Sequence, residues 1–151
     1  MMSSRRIALC AISIVALTAA TCVDNDAKVG SAESETLAKG STSWDGTPYV
    51  AYPKGQPQLT VLKLTIPANT VLPWHRHPVP NAAYVLSGEI TVEDAEGHKA
   101  ASFMAGQAFT ESVDEVHRGR TGAYPVTLIV TYAGTAATPT SVPEKGQRAE
   151  Y

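Results

Sequence analysis

Seven short runs of apolar and β-branched residues lie between Leu59 and Tyr132, most of them closed by a glycine or a proline. They are Leu59 to Ile66 (bounded by Pro57 and Pro67), Ala82 to Leu86, Glu89 to Glu93, Ala100 to Met104, Gln107 to Thr110, Val116 to Arg120 and Val126 to Tyr132. Runs this short bury too little as helices, and no window carries a helical period, so each reads as a strand. Ser87-Gly88 predicts a hairpin turn, Asp94 to Gly97 a second turn and Ala105-Gly106 a third. Evenly spaced short strands with glycine turns define an all-β unit, a sandwich or a barrel.

The flanks differ in kind. Residues 24–43 and 134–151 are rich in small, polar and charged side chains, with too little apolar surface to repay the entropy of ordering. The expected division is a signal segment over 1–21, a polar linker over 22–43, a folded domain over 44–133 and a flexible tail over 134–151. Arg5 and Arg6 precede an uncharged apolar stretch, Ile7 to Ala20, which is short for a bilayer span and is followed by small residues. That pattern predicts export, to a periplasm or beyond the cell. Both cysteines, Cys10 and Cys22, fall in or beside this stretch, so the domain itself has no disulfide. Cys22 stands where a lipoprotein cysteine would, but Ala19, Ala20 and Thr21 before it depart from the usual leucine-like and small residues. Membrane attachment is expected only if Cys22 is lipidated. From Trp44 to Tyr132, six cationic side chains face eight acidic ones, a balance that does not suit a nucleic-acid backbone.

The chemistry concentrates in Trp74-His75-Arg76-His77 and in His117. Residues two apart on a strand point to one face, so His75 and His77 can converge inside a barrel while Trp74 and Arg76 face away. Paired imidazoles suit Zn, Fe, Ni, Cu or Mn. Alone, the pair reads equally as two surface histidines on an edge strand.

The surrounding residues resemble the two motifs of the cupins. The first, G-x5-H-x-H-x3-E-x6-G, falls on Asn69, His75, His77, Asn81 and Gly88. The second, G-x5-P-x-G-x2-H-x3-N, falls on Gly106, Ser112, Asp114, His117 and Thr121. The resemblance runs from Leu59 to Tyr132. It implies a double-stranded β-helix, the cupin jelly-roll barrel, with one divalent transition metal ion (Fe, Zn, Ni or Cu) on His75, His77 and His117. The departures are Asn69 for Gly, Asn81 for Glu, Ser112 for Pro, Asp114 for Gly and Thr121 for Asn. Asn tolerates the left-handed backbone that a turn glycine serves. Asn81 is the consequential change. At the position where the family supplies a carboxylate it offers a neutral amide, as a metal ligand or as a residue orienting one. Three neutral imidazoles would then leave the full +2 charge of the ion, with weaker binding and a stronger Lewis acid.

Other candidates are weaker. Counting by twos from His117 puts Glu115 on its face as a candidate general base, and Glu111 has similar standing. Arg118 and Arg120 fall on the opposite face, His98 in an exposed turn, and Trp74, Tyr84, Phe103 and Phe109 among packing residues. A homodimer through the sheets is expected, because open strand edges need cover. Three functions fit: a metalloenzyme acting on a small polar or anionic molecule by oxygenase or Lewis-acid chemistry, a non-catalytic binder of a metal or small molecule in the cell envelope, and a structural module stapled by its histidines.

Overall fold

The computed structural model describes residues 29–151, so the signal segment, Cys10 and Cys22 lie outside the described residues. Residues 29–33 belong to a separate unit and have no regular structure, and Ser34–Tyr151 forms the folded unit. Its strands are β1 (Pro57–Ile66), β2 (His75–Arg76), β3 (Asn81–Ser87), β4 (Glu89–Asp94), β5 (Ala100–Met104), β6 (Ala108–Thr110), β7 (His117–Thr121), β8 (Val126–Thr135) and β9 (Val142–Pro143). No helix occurs among the described residues. Two antiparallel sheets result, ordered β1-β8-β3-β6 and β5-β4-β7-β2-β9.

Period-two alternation builds the core. Ala83 and Val85 of β3, Ile90 and Val92 of β4, and Val126, Leu128, Val130 and Tyr132 of β8 are all buried, while their sequence neighbours turn outward or to the rim. Phe103 and Phe109 stack with centroids 4.0 Å apart, closing one end between the sheets. Gly119 keeps space in this interior. A Cβ there would stand 2.8 Å from Ile90 Cδ1 and 3.2 Å from Leu72 Cδ1. Gly119→Val overpacks the barrel, and we expect a loss of about 1–3 kcal/mol, read from the denaturation midpoint.

Two of the three turns join strands of different sheets. Asp94 to Gly97 does join paired strands, β4 and β5, but Ser87-Gly88 is no hairpin: β3 lies in one sheet and β4 in the other. Ala105-Gly106 likewise passes from β5 to β6, across sheets. A Ser-Gly pair reports a backbone that needs positive φ, here +82° at Gly88, and a corner between sheets needs it as much as a hairpin does. Asn69 (φ 52°) and Asp114 (φ 61°) adopt the left-handed region at the two motif positions where glycine is replaced.

The flanks also differ. The segment expected as a flexible tail contains the last residues of β8 and all of β9, which pairs with β2 through His75↔Pro143 and Arg76↔Val142. Backbone pairing, not apolar content, orders it, which is why its composition did not reveal it. Arg76 and Glu144 add an ion pair at 3.0 Å, but both are partly exposed and such pairs contribute less than about 1 kcal/mol. The end of the expected linker enters the domain too: Ser43 is buried, and Thr42 O accepts from Thr110 Oγ1 at 2.9 Å.

Candidate metal centre

His75 opens β2 and lies directly across from His117 at the start of β7. His77 sits one residue beyond β2, bridged to Val113 and held by the Asp114 amide, which donates to its carbonyl at 2.8 Å. The expected same-face geometry therefore holds, and all three rings are buried with centroids 4.7–5.0 Å apart. Each ring is fixed through Nδ1, which donates to a backbone carbonyl: His75 to Pro73 at 2.9 Å, His77 to Thr140 at 2.7 Å, and His117 to Glu115 at 2.9 Å. With Nδ1 protonated, Nε2 carries the free lone pair on every ring. Carbonyl-anchored imidazoles with converging ligand atoms, all within 4.8 Å of one another, are the arrangement a metal ion requires.

Two carboxylates share the space. Glu111 is buried, with Oε2 3.4 Å from His117 Nε2, and Glu150 brings Oε2 to 3.3 Å from His75 Nε2. Glu111 is positioned by its own backbone, since its amide donates to Asn81 O at 3.1 Å and its carbonyl accepts from Tyr49 Oη at 2.6 Å. Tyr132 completes the wall, its ring 5.5 Å from that of His77 and its hydroxyl 3.2 Å from that of Tyr151. These groups enclose a cavity of about 20 Å³, floored by Leu72, Ile90, Val92 and Leu128. Such a volume admits roughly one water-sized occupant.

The electrostatics follow from burial and crowding. Burial, then the neighbouring His117 and His77, holds His75 down at about 4, and burial lowers His77 as well. At His117, burial opposes protonation but the Glu111 carboxylate outweighs it and raises the imidazole. Glu111 is the converse, its burial outweighed by His117 and the other two rings, which lower it. Burial and the charge of Glu111 push Glu150 up to about 7. Burial also raises the Tyr132 phenol.

The donor set fits a divalent cation. His117 Nε2, Glu111 Oε2 and Glu150 Oε2 are buried with no hydrogen-bond partner, and all three belong to residues lining this cavity. Orphaned buried polar atoms are costly, and one cation among them would satisfy them together.

Not every expected residue takes part. Glu115 is exposed and only its carbonyl serves the site, because β7 begins at His117 and Glu115 lies in the bend before it, where strand parity does not hold. Asn81 is buried and donates from Nδ2 to Val79 O at 3.2 Å, but it does not line the cavity. Glu111, on the other motif, brings a carboxylate oxygen to 3.4 Å from His117 Nε2. Arg118 and Arg120 stay off the cavity and pair with Glu93 at 2.7 and 3.3 Å, Arg118 lying over Trp74, and His98 is exposed. Glu150, Tyr132 and the Thr140 carbonyl went unforeseen. Tyr132 was within reach as an inward residue of β8; the other two lie in a segment with no apolar period.

A two-sheet barrel with three carbonyl-anchored histidines at its interior is thus the class to which the chain belongs. No family model matches the sequence, and no curated protein does. Solved structures do. The DMSP lyase DddQ from Ruegeria pomeroyi DSS-3 superposes with a TM-score of 0.51 at 25% identity, covering 66% of this chain and 49% of its own. A chain from the crystal structures of the DMSP lyases RdDddP and RnDddQII gives a TM-score of 0.51 at 17% identity, over 58% of this chain and 44% of its own. This chain therefore spans about half the length of those proteins or less. The fold is that of the cupins, the family its two histidine motifs resemble.

Proposed function

We propose that the protein is an exported metal-dependent cupin enzyme acting on a small polar or anionic molecule. The observation that carries this reading is the convergence of three Nε2 atoms with orphaned carboxylate oxygens in one buried cavity. His75, His77 and His117 would hold the ion, with Glu111 beside them. When bound, a divalent transition metal supplies a Lewis acid that polarises an oxygen of the substrate. The chain's own residues do the rest: the Pro73, Thr140 and Glu115 carbonyls keep the imidazoles in one tautomer, the apolar floor excludes water, and Tyr132 offers a hydroxyl at the wall. The 25% identity to a DMSP lyase favours lyase-type Lewis-acid chemistry over oxygenase chemistry. A small cavity that Glu150 closes favours the second reading, a metal-binding cupin without turnover.

The apolar stretch ahead of the domain supports export, with lipidation at Cys22 as the route to membrane attachment. A homodimer would use β1, an edge strand of its sheet with Leu59 and Val61 exposed.

Elemental analysis of protein purified without chelators tests the core of this reading. We expect close to one equivalent of a transition metal per chain. Absence of metal, with none taken up from a panel of divalent ions, would refute the metalloenzyme. Glu111→Gln keeps the shape and removes the charge, and we expect metal affinity to fall about 10–100-fold by competition titration. An unchanged affinity would place Glu111 outside the metal's reach.

A further inference from the structure

Beside the metal cavity lies a second, larger one of about 360 Å³. The two share Leu64, Leu72 and Glu150, so the Glu150 side chain stands between them. Its side chain is only 7% exposed, and Oε2 lies against His75 with no hydrogen-bond partner. A carboxylate is thus already seated at the imidazole cluster, delivered by the chain itself. Its hold is slight. Residues 148–151 make no backbone hydrogen bond among the described residues, and Tyr151 is tied through its hydroxyl to Tyr132 and to Thr140 Oγ1 at 2.9 Å. Aliphatic side chains and prolines make up about half of the larger cavity's lining, with Thr65, Thr70, Tyr151 and the exposed Arg148, which has no ion-pair partner among the described residues.

We propose that the ligand of this site is a small organic carboxylate whose carboxylate takes the place of the Glu150 carboxylate at the three imidazoles, while its short apolar body occupies the larger cavity between Leu64 and Leu72. The proposal rests on the metal-site reading above and names the substrate class for it. A carboxylate reproduces what the site already accommodates. The aliphatic part of the wall, Leu64, Ile66 and Leu72, accepts a short hydrocarbon body. Arg148 at the wall adds an attraction for anions. Glu150 then acts as an internal competitor. The binding-competent state is the one in which the Glu150 side chain has turned away from His75 while Arg148 and Ala149 keep their places at the cavity wall, and apparent affinity is reduced by the fraction of time it has not.

The experiment uses the full chain loaded with one equivalent of Co(II), whose visible spectrum reports changes around the ion. Butyrate and its neutral counterpart butyramide are titrated into the wild type, Glu150→Gln and Tyr151→Phe. Butyrate should perturb the spectrum saturably and butyramide should not. Glu150→Gln should bind butyrate at least about tenfold more tightly, and Tyr151→Phe, which keeps the carboxylate but drops its anchor, by an intermediate factor. Cobalt that loads normally but gives equal responses to butyrate and butyramide, or an affinity unmoved in both variants, overturns the carboxylate proposal and leaves the metal site standing. Failure of the chain to take up cobalt overturns the metal-site reading and this proposal with it.

Discussion

Zinc at a hundred times its dissociation constant should stabilise the folded chain by about 2.7 kcal/mol, and His117→Ala should abolish that gain. The magnitude follows from mass action alone, since an ion that binds the folded and not the unfolded chain shifts the equilibrium by the logarithm of its saturation. In a domain of this size the shift in Tm is on the order of 10 °C. Removing one of three imidazoles should weaken binding more than about 100-fold, so the same zinc concentration no longer exceeds the dissociation constant and the residual gain drops below about 0.4 kcal/mol. The variant also unpairs Glu111 and loses a buried ring, so its metal-free Tm will move as well. The informative quantity is therefore the difference with and without zinc within each protein, by calorimetry. A zinc-induced shift preserved in His117→Ala would exclude this residue from the ligand set.

Gly88→Ala should cost more than about 3 kcal/mol, among the largest effects available to a single methyl group. Two causes add. The backbone has φ +82°, which costs a residue with a Cβ about 1 kcal/mol. The new Cβ would clash with the Pro125 carbonyl oxygen and stand 3.1 Å from Val126 Cα, backbone atoms that cannot rotate away. Gly106→Ala separates the two causes. It has φ +91° but nothing within 4 Å of the added Cβ, so it should lose only about 1 kcal/mol. Urea denaturation of both variants checks the pair, and equal losses would mean that the close approach at Pro125 relaxes freely.

Much of this was legible in the sequence, for identifiable reasons. Histidines at 75 and 77 declare a shared face through strand parity alone, and a buried strand face is where converging ligands must lie. Positive-φ corners announce themselves through Gly88, Gly106, Asn69 and Asp114, because few other residues tolerate that backbone. What such corners connect was not legible, and Ser87-Gly88 was misread as a hairpin for that reason. Glu111 carried a signal that could have ranked it above Glu115: it stands two residues after Phe109, and both are buried. Parity from His117 instead favours Glu115, because nothing in the sequence shows that β7 begins only at His117 and leaves Glu115 in a bend. Segment 140–151 was the real blind spot. It contributes a carbonyl, a short β pairing and one carboxylate, none of which needs an apolar period.

The site draws on Thr140 and β9, which lie beyond the strands that enclose the core. Both sheets can close over the core with residues up to Thr135, whereas the tautomer of His77 and the outer flank of β2 are fixed only by residues that follow in the chain. The His77 ring takes its anchor from the last residues of the chain, whereas the strands that form the core do not need them. If the chain is exported, as proposed above, any ion that it holds would come from the metals of the compartment it enters.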